Sequence, residues 1–396
     1  MSVTGAGETS VAAPAMSFSV DGWDPSYGAS LELEGQLEES TATIDTGVEV
    51  PADRWRPINP DAAGPLPDAL LFVDGVRRVE AQVWIDGGDA TDPDTGEVVP
   101  GEATAALCAS YAAGVVCCCA AGAHLVASQR RRGLFSVASH ASDILTRAGG
   151  YQAHHVRIKR AGAPVMAALS QSLQRRLAEV EVDVAKAARD AANTVTTENT
   201  DTTGPTGTTS TTGPTGTTGP TGTTGSTGTA MPTAHPRQST SDLLIVDGPL
   251  KDRQHLERAL GYIKSHHATY LPPELNAVVG ALAPGQRTPA FLMGTSWDRH
   301  SWYLRLPGPK GAPWSGVVRI ECPATLPVAE VTMLAGLSQR CLGRFASSPY
   351  KDSRAPQNLY PIAGLERELR RRLGDPGLLY RALRESARTD AVAPVG

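Results

Sequence analysis

The chain has no excess of positive charge. Its 396 residues carry 36 Lys+Arg against 41 Asp+Glu, a formal net charge of −5. That excludes a protein that coats nucleic acid by charge alone, but not one with a local basic groove. Aromatic residues are scarce, at 5%. Trp297, Trp302, Tyr303 and Trp314 gather in one stretch, which reads as core and sheet packing rather than a base-stacking platform. The first sixteen residues contain no Lys or Arg, so no charged segment precedes an apolar run and a secretory signal is not expected. No apolar run suits a membrane span; the longest, Ala112 to Ala127, is short, contains His124, and reads as a buried strand with its surroundings. The six cysteines include no C-x-x-C pair. Cys117, Cys118 and Cys119 are contiguous, and strand neighbours point to opposite faces. All six read as free thiols acting as small hydrophobes in a reducing cytoplasm, forming neither a disulfide framework nor a zinc site.

Glycine and proline, at 40 and 30, are abundant. From Gly204 a glycine recurs every third residue as far as Gly228, with Ser210 the one break. This is the collagen period, but few triplets carry proline, and a solvated spacer over residues 194–241 is the expectation. Residues 1–60 hold Glu32, Glu34, Glu38 and Glu39 among Ser, Thr and Gly. They read as an acidic, largely disordered tail, because such a segment buries too little apolar surface to offset its ordering entropy. Residues 387–396 read as a disordered end.

Between these lie apolar runs of strand and helix length. Ala69–Val73 reads as a buried strand that turns at Asp74-Gly75 into a hairpin partner, Val76–Ile85. Val115–Cys119 reads as a strand and Ser128–Gly133 as a loop. Val165, Leu169, Leu173, Leu177, Val180 and Val184 recur with helical period, predicting a helix over Pro164–Ala192. After the spacer, Leu243–Val246, Ala290–Gly294, Ser301–Leu306 and Val317–Glu321 read as strands. Lys251–Ile263, Val328–Ser347 and Ile362–Ala387 read as helices, the last with an arginine-rich face. That face is a solvated surface on the plain reading and a phosphate contact on the other.

One design occurs twice: LLFVDGVR (70–77) and LLIVDGPL (243–250), an apolar run followed by Asp-Gly. A carboxylate at the end of a buried strand sits where open α/β sheets place ligands. Two on neighbouring strands can hold a hard divalent cation, and such cations hydrolyse phosphodiesters. The plain alternative is that Asp-Gly only opens a turn. Glu179 and Glu181 on the long helix are candidates for a third carboxylate; two residues apart, they do not share a face. Glu321 is another candidate. Lys264 suits a phosphate, and Arg287, Arg305 and Arg319 are candidate DNA contacts, each with a surface or ion-pair role as the plain alternative. The adjacent His266 and His267 read as loop residues before they read as ligands.

The ordered set LLFVDG, RRLAE (175–179), LLIVDGPL, GYIKSHHATYLP (261–272), SWYLRL, GVVRIE and RAPQNLYPIAGLE (354–366) resembles the NurA nucleases. The resemblance implies an α/β, RNase H-like mixed sheet flanked by helices. It places one discontinuous nuclease domain over 66–193 and 239–386, interrupted by the Gly/Thr/Pro-rich insertion. It also implies Asp74, Glu179 and Asp247 as catalytic metal ligands for Mn²⁺ or Mg²⁺, with Lys264 beside them. The implied activity is DNA cleavage, of single-strand endonuclease and 5′-to-3′ exonuclease type. Its implied setting is a homodimer working with a hexameric HerA-type ATPase in DNA end processing or repair. Where the family offers an imidazole or carboxylate as its C-terminal metal ligand, this chain has Asn358, with Asp352 upstream. Asn offers a carbonyl oxygen without charge. The rival expectation is a scaffold of the same fold that binds DNA ends or the ATPase without cutting; an RNA target is the third.

Overall fold

The computed structural model describes residues 42–61, 64–87, 89–91, 98–100, 102–158, 164–198, 242–266, 268–308 and 314–390. The collagen-period tract, the first 41 residues and 391–396 lie outside them. Before the long helix come β1 (Thr43–Asp45), β2 (Ala69–Ile85), β3 (Asp89–Thr91), β4 (Val98–Pro100), β5 (Thr104–Cys119), β6 (Gly122–Ser136), β7 (Ile144–Thr146) and β8 (Gly149–His155). Helix α1 spans Val165–Glu198 and is followed by β9 (Asp242–Asp247), β10 (Ala259–Ile263) and α2 (Pro273–Gly280). Then come β11 (Phe291–Gly294), β12 (Asp298–Arg305), β13 (Val317–Pro323), α3 (Val328–Leu342), α4 (Tyr360–Arg372) and α5 (Pro376–Asp390).

Eleven strands form one mixed sheet in the order β1-β11-β12-β13-β10-β9-β2-β5-β6-β8-β7. Its middle, β2-β9-β10, is parallel. It is continued by antiparallel β5 and β6 on one side and antiparallel β13 and β12 on the other. Side-chain alternation sorts the central strands into two cores. Leu71, Val73, Leu244 and Val246 face α1, packing with Leu173, Leu177, Val180 and Val184. Leu70, Phe72, Leu243 and Ile245 face the other way, onto Leu334 and Leu337 of α3 and Ile362 of α4. Each of these fully buried side chains contributes about 1.5–3 kcal/mol. A helix on each face is what closes such a two-sided parallel centre.

Several elements differ from their sequence reading. Asp74-Gly75 is not a turn: β2 runs unbroken past it, with Asp74 opposite Gly114 and Gly75 opposite Ala113 of β5. Ser128–Gly133 lies inside β6, not in a loop. Its arginines reach outward to bonding partners, Arg131 to Asp183 and Arg130 to the Arg372 carbonyl, so a charged run is tolerated in a strand. Lys251–Ile263 is not helical. Asp252 and Arg258 have positive φ, which breaks a helix, and Ala259–Ile263 is taken by the sheet. The last predicted helix is two, α4 and α5, with Pro376 opening the second as proline suits a first helical position. The described part of the acidic tail is built onto the sheet edge. There β1 pairs with β11 and Trp55 is buried.

Arg287 fastens that edge. It is 3% exposed, and donates two 2.7 Å hydrogen bonds to the Glu49 carboxylate and one to Gln339 Oε1. Removing one partner of a buried ion pair leaves the other uncompensated, at a cost of about 3–5 kcal/mol. We expect Arg287→Ala to lower the melting temperature and to open the 42–58 segment to limited proteolysis.

Candidate active site

The two Asp-Gly carboxylates converge. Asp74 follows Leu70 and Phe72 in strand alternation, and Asp247 follows Leu243 and Ile245, so both stand on the α4 face of the sheet. Helix α4 supplies a third carboxylate, Glu366. One carboxylate oxygen from each of Asp74, Asp247 and Glu366 lies within 4.8 Å of the other two. Asp74 is buried; its Oδ1 accepts the Gly75 N–H at 2.7 Å, and its Oδ2 has no hydrogen-bond partner. Burial, then the nearby Asp247 charge, holds the Asp74 carboxyl well above the usual carboxylate range, although Lys264 opposes this.

Lys264, just beyond β10, bridges the group. Its Nζ lies 2.6 Å from Asp247 Oδ2, 3.1 Å from Asn358 Oδ1 and 3.6 Å from Glu366 Oε1. Burial disfavours the ammonium, but Asp247, Asp74 and Glu366 outweigh it and keep Lys264 above its ordinary pKa. Asn358 is fully buried; its Nδ2 donates to Asp352 Oδ2 at 2.9 Å, which turns its Oδ1 toward the carboxylates. Arg354 pairs with Glu366 from the outer side. The Tyr262 hydroxyl donates to the Gln357 carbonyl at 2.6 Å, pinning this loop over the end of β10.

Of the two glutamates on the long helix, Glu179 does not join the cluster. Its side chain is 46% exposed and pairs with Arg176 one turn earlier. Glu181 points inward from the opposite face of the sheet and pairs with buried Arg253. Burial pushes it up to about 7, against the pull of Arg253. Gly75 makes room for it: a Cβ there would stand 2.5 Å from Glu181 Oε1 and 2.7 Å from a Leu177 methyl. The glycine after Asp74 thus admits α1 to the sheet and does not turn the chain.

The other candidates separate clearly. Glu321 is fully buried, accepts the Leu250 N–H at 2.7 Å and pairs with Arg299, so it braces the turn after Asp247. His266 is buried beside Tyr303 and Trp314, with its Nε2 3.0 Å from the Val317 carbonyl. His267 lies outside the described residues. Arg287 is the edge fastener described above. Arg305 donates to the carbonyls of Ser315 and Gly280. Arg319 alone of the three arginines reaches the site's surroundings. A cavity of about 410 Å³ opens beside Asp247 and Lys264, and Arg319 and Tyr270 line it, the guanidinium 4.8 Å from the ring centroid.

The donors suit a hard divalent cation: three carboxylates, of which Asp74 keeps a buried oxygen without a partner, and one amide oxygen beside them. No helix among the described residues is long and apolar enough to cross a membrane.

No family model matches this chain, and no curated protein does. Among solved structures it is similar to the NurA nuclease from Sulfolobus solfataricus, with a TM-score of 0.37 and 8% sequence identity. That alignment covers 84% of this chain and 88% of the other.

Proposed function

We propose that the chain is a divalent-cation-dependent phosphodiesterase acting on DNA. The carrying observation is the convergence of Asp74, Asp247 and Glu366, together with the buried Asp74 Oδ2 that has no partner. A cation held there supplies Lewis-acid activation of water and of a phosphate oxygen. Asp74 and Asp247 would hold it from the sheet and Glu366 from α4, and Asn358 Oδ1 would add a neutral donor. Lys264 neutralises the carboxylates in the free protein, and exchanges that contact for a phosphate oxygen when substrate enters, stabilising the charge that develops there. Arg319 and Tyr270 border the cavity beside this point and offer a cation and a ring to a nucleotide strand. They carry no pattern that reads base edges, so strandedness rather than sequence governs choice.

Strand order supports an RNase H-like reading: β6-β5-β2-β9-β10, with the first three antiparallel, the last two parallel to β2, and α1 between β6 and β9. Mn²⁺ over Mg²⁺, the endonuclease and 5′-to-3′ exonuclease type, a homodimer and a HerA-type ATPase partner follow from the motif resemblance alone and are proposed with it.

The test is cleavage of labelled single-stranded DNA, duplex DNA and RNA with Mn²⁺, Mg²⁺ or EDTA, comparing wild type with Asp247→Asn. Cutting of DNA that needs the cation and is lost in the variant supports the proposal; equal cutting by both proteins refutes it. A second reading, a scaffold that binds without cutting, is favoured by one observation: Lys264 already bridges Asp247 and Asn358. It predicts DNA binding without cleavage under all three conditions.

A further inference from the structure

A second cluster of metal-ligating groups lies at the β5–β6 turn, away from the carboxylates. Cys117, Cys119 and His124 each place one ligand atom within 4.8 Å of the other two. The sequence hid this, because the two thiols are spaced C-x-C and the imidazole sits on the other strand. Residues i and i+2 of a strand share a face, so Cys117 and Cys119 point together while Cys118 points into the opposite core.

A β-bulge brings His124 onto that face. The pairing runs Val115 opposite Ala127, then Val116 opposite Leu125, so Val126 is the extra residue. Beyond the bulge Cys117 stands opposite His124. Without it Leu125 would occupy that place and His124 would project from the other side. Bulges re-aim side chains in this way, and directly opposed residues of an antiparallel pair are close enough to interact.

We propose that Cys117, Cys119 and His124 form a binding site for a soft or borderline metal ion of the zinc class. Two thiolates and an imidazole are the donor set that selects such ions over Mn²⁺ or Mg²⁺. With metal–ligand bonds of about 2.0–2.3 Å, ligand atoms of a tetrahedral site lie about 3.5–3.8 Å apart. The three ligand atoms, all within 4.8 Å of one another, stand close to that spacing. Cys119 and His124 are half-buried and Ala120 to Ala123 are exposed, so the ion has a path in and a fourth position open to water. The bound ion ties the two strands of the hairpin together just before the chain reverses.

The test uses the full chain, reduced and stripped of metal, titrated with Co²⁺ and then with Zn²⁺. The expected result is one equivalent of Co²⁺ giving a thiolate-to-cobalt charge-transfer band that Zn²⁺ abolishes. Cys119→Ser and His124→Ala each weaken the affinity on the order of 100-fold or more. Cys118→Ser and Asp247→Asn leave it unchanged, which separates this site from the carboxylates. Zn²⁺ raises the melting temperature of the wild type but not of His124→Ala. If His124→Ala fails to fold by circular dichroism, His124→Gln replaces it with a closer volume. Absence of the band, or its persistence in both ligand variants, overturns the proposal.

Discussion

Glu366→Gln is expected to lower cation-dependent cleavage by about 10³-fold or more, whereas Glu179→Gln leaves it within about twofold. The two residues separate the site built by geometry from the site implied by motif order. Glu366 puts an oxygen within 4.8 Å of oxygens on Asp74 and Asp247. Glu179 is exposed and salt-bridged one turn back along its own helix. Gln keeps the volume of Glu and removes the charge a divalent cation requires. The Glu366→Gln protein should remain folded, because Leu365 and Leu369, the neighbours that anchor α4 on Val76 and Ala112, are untouched. Equal loss in both variants, or loss only in Glu179→Gln, would return the third ligand to α1.

Arg253→Met should destabilise the protein by about 3–5 kcal/mol, the cost of leaving a buried carboxylate without its partner. Arg253 is 6% exposed, donates to the Pro249 carbonyl at 3.0 Å and is the ion-pair partner of Glu181. The loss should depend on pH with a definite sign. Glu181 sits near 7 in the folded protein against an ordinary 4.5. Between those values the folded chain holds a proton that the unfolded chain has released, so stability falls as pH rises through the window. Without Arg253 the folded value climbs further and the dependence extends to higher pH. Urea unfolding of Arg253→Met should therefore show its stability partly recovered below about pH 5. A deficit that is the same at pH 5 and pH 8 would mean that lost packing, not an unpaired charge, is responsible.

The central strands are legible because Leu70–Val73 and Leu243–Val246 are short continuous apolar runs closed by Asp-Gly, the pattern of a strand buried on both faces. Asp74-Gly75 reads as a turn because Asp-Gly is the same local signal in a turn and inside this strand. Only the packing of Leu177 and Glu181 against Gly75 shows why glycine stands there. The inward position of Glu366, which the sequence reading does not single out, and that of Glu181, which it leaves open against Glu179, are both written in the helical period. Ile362, Leu365, Glu366 and Leu369 follow the spacing i, i+3, i+4, i+7, as do Leu177, Val180, Glu181 and Val184. A carboxylate inside an apolar stripe points at the core. What no pattern could supply was which face of the sheet each helix covers, and hence that Glu366, not a glutamate of α1, shares a face with both aspartates. The bulge at Val126 is equally silent in sequence, since it changes pairing without changing composition.

The most direct measurement is a calorimetric titration of the metal-free protein with Mn²⁺, a hard ion that discriminates against the thiol site, at several pH values. Binding that is abolished in Asp74→Asn and in Glu366→Gln is the result predicted, and it weakens as pH falls, the direction that a raised Asp74 carboxyl sets. Absence of Mn²⁺ binding in the folded wild type, or binding that both variants preserve, would contradict the assignment of Asp74, Asp247 and Glu366 as a cation site.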